Sequence, residues 1–252
     1  MKTTICVTAA LTAASVFAQP PVMPGPAKGS NDRVLVLQTD QMPVPPPADE
    51  LRKMQSMLAM KAEDGFSRLI REPQPVREFM NDLNIVRNHQ SGATKAAAFA
   101  HALKTGKSLP VAPVVVKDLN DLKIGFSPTT VRSGRLIGVA PQGTMVRGAW
   151  TGVERYYAID GAGTMRVSET DLAASGGMFY MHAPLVNARI GGKPAISVVF
   201  ADDHGQRIEE VMWGNGPKLF KVTFAPLMRR EKNGQMKANV AVSAFSLASD
   251  LR

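Results

Sequence analysis

"AISVVFADDHGQRIEEVMWGNGPKLFKVTF", residues 195–224, holds three short apolar runs separated by two turn signals. Ile196, Val198 and Phe200 recur at every second position of the first run, and Phe220, Val222 and Phe224 do so in the third. Side chains of a strand point alternately to opposite faces, so this period of two marks strands with one buried face and one wet face. Between the runs, Asp203-His204-Gly205 and Gly214-Asn215-Gly216-Pro217 supply the residues that tight turns need. Antiparallel neighbours joined by short turns are the expected result.

The same texture extends in both directions from this stretch. Further strands are expected at 111–119, 122–126, 135–140, 145–150, 155–159, 164–168, 178–182 and 237–245, with turn chemistry at Asp160-Gly161, Gly191-Gly192 and Asn233-Gly234. So many short strands at this spacing imply a domain over 107–252 that is an antiparallel β-sandwich or barrel. The chain is therefore expected to be mainly β, preceded by an N-terminal α-helical segment over 48–106.

In that segment Asp49 can cap a helix, and Leu51, Met54, Leu58, Ala62, Phe66, Leu69 and Ile70 form its apolar stripe. Met57 and Met60 lie beside the stripe and widen it, and methionine suits surfaces that accept a partner as well as core gaps. A second helix is expected at 75–83, burying Val76, Phe79, Met80 and Leu83. A third, alanine-rich, is expected at 93–104, ended by Gly106.

Residues 19–47 read as a proline-rich tether that buries too little apolar surface to fold alone. Inside it, Val34-Leu35-Val36-Leu37 is a lone strand-like run, with Pro43, Pro45, Pro46 and Pro47 as a stiff spacer behind it. Such a strand satisfies its backbone either by folding back onto its own β domain or by extending the sheet of a neighbour.

The chain opens MKTTICVTAALTAASVFAQ, which has the charged start, apolar centre and small-residue end of a secretory signal peptide cleaved near Ala18. Its apolar run falls short of the roughly 18 residues that cross a bilayer. The single cysteine, Cys6, lies inside that run, so a mature chain from Gln19 would hold no disulfide, thiolate zinc site or cysteine nucleophile. A periplasmic or secreted location with no transmembrane helix is expected. The formal net charge of +9 favours contact with an anionic surface. Nucleic acid is not expected, because the basic residues are spread out rather than interleaved with aromatics; only Met228-Arg229-Arg230-Glu231-Lys232 forms a local knot, readable as a solvated turn.

No catalytic motif stands out. The four histidines, His89, His101, His182 and His204, show no metal-ligand spacing, and no cofactor or metal is expected. Asp202-Asp203-His204 could act as acid and base, yet Asp and Gly at a hairpin tip are ordinary turn chemistry. There is no GxSxG elbow, and Gly161-Ala162-Gly163 sits between strand patterns, where a hairpin is the better account. The expected function is that of a non-catalytic exported cell-envelope protein, a β-rich binding or structural module engaging a protein partner through Val34, Leu35, Val36, Leu37, Met54, Met57 and Met60. A subunit of a secretion, conjugation or pilus assembly would have this layout. The alternative is a periplasmic hydrolase or glycan-binding protein with a cleft near Trp150, Tyr156, Trp213 and His204, with Asp202 nearby.

Overall fold

A computed structural model describes residues 32–38, 48–49, 52, 73–90, 118–202, 204–232 and 236–251. The chain is mainly β. β1 (Val34–Leu37) is followed by helix α1 (Pro73–Gln90), then by β2 (Arg135–Val146), β3 (Ala149–Ile159), β4 (Gly163–Asp171), β5 (Phe179–His182), β6 (Ala188–Ile190), β7 (Lys193–Ala201), β8 (Arg207–Asn215), β9 (Lys218–Pro226), β10 (Met228–Arg230), β11 (Met236–Ala238) and a short helix α2 (Ala244–Ser249). Met54, Met57 and Met60, with the helix expected after Asp49 and the one expected at 93–104, lie outside the described residues apart from 49 and 52, which are helical.

Seven strands make one antiparallel sheet in the order β2-β3-β4-β9-β8-β7-β6. Two meanders, β2 to β4 and β6 to β9, meet where β4 pairs with β9. β2 and β6 are the ends of the row, and no closing pair joins them among the described residues. The expected period of two holds across the sheet. One face carries Tyr157, Met165, Val167, Val211, Trp213, Phe220, Val222 and Phe224, and α2 covers it with Ala244, Leu247 and Ala248. The other face carries Ile196, Val198, Phe200, Ile208 and Met212 beneath α1, which turns Val76, Phe79 and Leu83 inward. Both faces are thus buried over much of their area, where the alternation predicted one wet face.

α1 is longer than the helix expected at 75–83. No proline or glycine interrupts Asn84 to Gln90, so the helix continues and adds Val86 to its buried stripe. Pro73 and Pro75 fall in its first turn, where the missing N–H has no intrahelical partner to lose.

Three expected strands are corrected, and a fourth lies mostly outside the described residues. The run at 145–150 is a hairpin: Arg147 and Gly148 have φ of 51° and 76°, the two positive values of a type I′ turn, and β2 and β3 pair on either side. The run at 122–126 makes a single bridge, Ile124 to Trp150. In the run at 237–245, only Lys237 and Ala238 belong to a strand, because Ser243 caps α2 through its hydroxyl and the Ser246 backbone N–H. Of the run at 111–119 only its last two residues are described, and they belong to a short helical turn with Asp118 as its cap.

β1 folds back onto its own chain. It pairs parallel with β5 in the register Val34–Phe179, Leu35–Tyr180, Val36–Met181 and Leu37–His182. Its entry is fixed by the Arg33 N–H donating to the Gly216 carbonyl at 3.1 Å. Val34 crosses β8 at Gly214, where a Cβ would lie 2.3 Å from that of Val34. Only glycine leaves room for this crossing.

Gly214→Val should therefore expel β1 at a cost of about 1–3 kcal/mol, the usual range for overpacking. Hydrogen exchange should report it as lost protection across Val34–Leu37 and Phe179–His182 while the β4 and β9 amides stay protected.

Candidate functional site

Burial of both faces forces the charged residues of the central strands inside, and two ionic clusters result. The first follows from register alone. Tyr156, Arg166, Thr223 and Glu210 stand opposite one another in turn across β3, β4, β9 and β8, so they form one polar row beneath α1. The next row brings Glu154, Ser168 and Lys221 alongside.

Arg166 is the hub of this cluster. Its Nη1 donates to Asp82 Oδ2 of α1 at 3.0 Å and lies 3.8 Å from Glu154, and its Nη2 lies 3.9 Å from Glu210. The guanidinium also sits 5.2 Å from the centre of the Phe79 ring, a cation–π contact that binds helix to sheet. Glu154 accepts from the Tyr156 hydroxyl at 3.0 Å and from Ser168 Oγ at 3.1 Å. Thr223 donates its hydroxyl to Glu210 at 2.7 Å, and Lys221 Nζ lies 3.8 Å from the same carboxylate.

The environment moves these groups apart in acidity. Burial pushes the Asp82 carboxyl above its ordinary range, with Arg166 opposing. Burial would raise Glu154 too, but Arg166, Lys221 and the two hydroxyls outweigh it and hold the carboxyl low. Burial, reinforced by the Glu154 charge, raises Tyr156, and the surrounding carboxylates overcome burial to raise Arg166. The row is therefore a guanidinium held among acidic side chains, beside a phenol whose acidity burial suppresses.

The second cluster is on the α2 face and centres on Glu169, whose side chain is 0% exposed. Thr129 donates its N–H to both carboxylate oxygens, at 3.2 and 2.9 Å, and its hydroxyl at 3.1 Å. Arg155 Nη2 and Lys218 Nζ each donate to Glu169 at 2.8 Å. Arg155 Nη1 and Lys218 Nζ also reach the carbonyls of Thr129 and Ser127, so the cluster pins the segment leading into β2. A carboxylate with this many donors is a structural anchor.

The residues proposed for a cleft are dispersed. Tyr156 faces α1, whereas Trp213 is on the opposite face, stacked on Phe220 at 5.0 Å between ring centres. Trp150 is the second residue of β3, close to the Arg147-Gly148 turn. His204 is exposed at the β7–β8 turn, where its N–H and that of Gln206 both donate to Asp202 Oδ1 at 2.9 and 2.8 Å. Asp202 thus organises the turn through its own side chain; Asp203 lies outside the described residues. Among the described residues no group of His, Cys, Asp and Glu is arranged to hold a metal ion, and no helix is long and apolar enough to cross a membrane. Sequence reasoning missed Arg155, Glu169, Arg166 and Glu154; their only signal was a charge at an alternating strand position, which ordinarily marks a wet face. Comparison with protein-family models, with curated proteins and with solved structures gave no match for this chain.

Glu169→Leu should destabilise by about 3–5 kcal/mol because it strands Arg155 as a buried unpaired charge. In denaturant titration, Arg155→Met with Glu169→Leu should cost less than the sum of the single changes. Glu154, held low in the folded state, contributes stability that is present above the ordinary Glu value of about 4.3 and is lost as pH falls through its folded value. Asp82 has the opposite sign, since protonation relieves its burial. Glu154→Gln should therefore flatten the acid limb of stability against pH, whereas Asp82→Asn, which removes the opposing contribution, should steepen it.

Proposed function

We propose that this chain is a non-catalytic, exported cell-envelope protein: a β-rich module of sandwich type that engages a protein partner through its N-terminal arm. A secretion, conjugation or pilus-type assembly is the setting its layout fits. The sandwich reading is supported by the layer that α1 and the β1–β5 ribbon make over one face of the large sheet. The binding reading is supported by the buried charges, which are engaged with one another and with backbone.

The observation that carries the proposal is the setting of β1. Phe179 donates its N–H to the Arg33 carbonyl at 2.8 Å, so in parallel geometry the odd-numbered residues of β1 serve β5 and the backbone groups of Val34 and Val36 point away from it. An edge of that kind is what strand addition uses. Val36 is also 38% exposed.

Val36→Pro removes one amide on the side away from β5 and none from the β1–β5 pairing. Pull-down from membranes should lose its stoichiometric neighbours with this variant, while the melting temperature moves little. Recovery of the same neighbours would overturn the proposal. Asp202→Ala with His204→Ala should leave the phenotype intact; a null phenotype at normal abundance would favour the hydrolase or glycan-binding alternative instead.

A further inference from the structure

β10 and β11 form a two-stranded antiparallel ribbon that continues from β9 beyond the end of the large sheet. Its register places Arg229 directly opposite Lys237, with Met228 opposite Ala238. Like charges facing each other across a strand pair weaken the pair. Both side chains are exposed, and the ion pair of Lys237 with Glu231 at 3.6 Å is weak because the lysine is mostly in water. From Met228 to Ala238 the sequence holds four basic residues against one acidic. The knot that the sequence presents as a solvated turn is thus an ordered, self-repelling basic surface.

Leu227, an aliphatic side chain that precedes the ribbon, is 47% exposed. The Asn239 N–H donates to the Leu227 carbonyl at 2.9 Å, which carries the pairing one step past the ribbon and puts Leu227 on the same face as Arg229 and Lys237. An anionic polyelectrolyte would neutralise the charges but leave Leu227 in water. A bilayer surface answers both, with anionic headgroups for the cations and the acyl boundary for Leu227.

We propose that the face bearing Leu227, Arg229 and Lys237 is a contact surface for anionic phospholipid headgroups. This goes beyond the protein-partner reading and does not rest on it. The cost of holding Arg229 against Lys237 is relieved when headgroup phosphates lie between them.

The test is co-sedimentation of the full chain with phosphatidylglycerol–phosphatidylcholine vesicles, compared with phosphatidylcholine vesicles alone. The chain should prefer the anionic vesicles, and raised salt should abolish the preference. Arg229→Glu changes the surface by two charges and sets a favourable Glu–Lys pair across the ribbon, so the melting temperature should hold or rise. Its anionic-vesicle partition should fall roughly 30-fold, from the surface attraction ordinarily carried by each basic side chain. Arg189→Glu, the same charge change on exposed β6, should keep its partition. The proposal is overturned if the chain shows no preference for anionic vesicles, or if the two variants lose binding equally, which would mean diffuse net charge. Retention on immobilised poly-glutamate without vesicle binding would also overturn it, in favour of an acidic protein.

Discussion

Pairing of β4 with β9, from Gly163 opposite Pro226 to Asp171 opposite Lys218, is the seam on which the structure depends. It joins segments far apart in the chain, so its formation carries a loop-closure cost that local turns do not. What offsets that cost is burial on both sides of the seam: Met165 against Phe224 and Val167 against Val222 on one face, and the Arg166–Thr223 contact on the other. Without it each meander would end on an open edge. With it, seven strands share one sheet and both ionic clusters span it.

A sheet buried on both faces has no wet side for the polar positions of its strands. The chain resolves this by pairing. Arg166 answers Asp82, Glu154 and Glu210, while Glu169 answers Arg155 and Lys218. Replacing such groups by apolar residues of equal volume is often neutral for stability, so their worth lies more in orientation. Asp82 sets where α1 sits on the sheet, and Glu169 sets where the segment before β2 crosses it.

The two surfaces with most to offer a partner flank β9. At its start, Gly216 receives Arg33 and so anchors the entry of β1; at its end, Pro226 leads into Leu227 and the basic ribbon. On the readings proposed above, β9 would carry a protein contact near its start and a lipid contact beyond its end, with the buried interior as their mount.

Much of the sheet was legible before any coordinates. The runs at 195–201, 207–213 and 219–224 are strands because their alternation and their Gly, Asn and Asp turns agree, and local agreement of this kind needs no tertiary information. Errors came where a short-range signal was outweighed or overlooked: Arg147-Gly148 turns a run that reads as strand, and Ser243 starts a helix in another. The candidate clusters were not legible at all. Arg155, Arg166, Glu154 and Glu169 look in sequence like solvent-facing positions, and only the arrival of α1, α2 and the segment before β2 takes their water away. The sequence alone determined the strands and turns of 195–224 and the basic excess, because those depend on residues within a few positions of one another. Strand order, the burial of both faces, the partner of β1 and the juxtaposition of Arg229 with Lys237 were decided by the tertiary structure, because each depends on residues that meet only when distant segments pack.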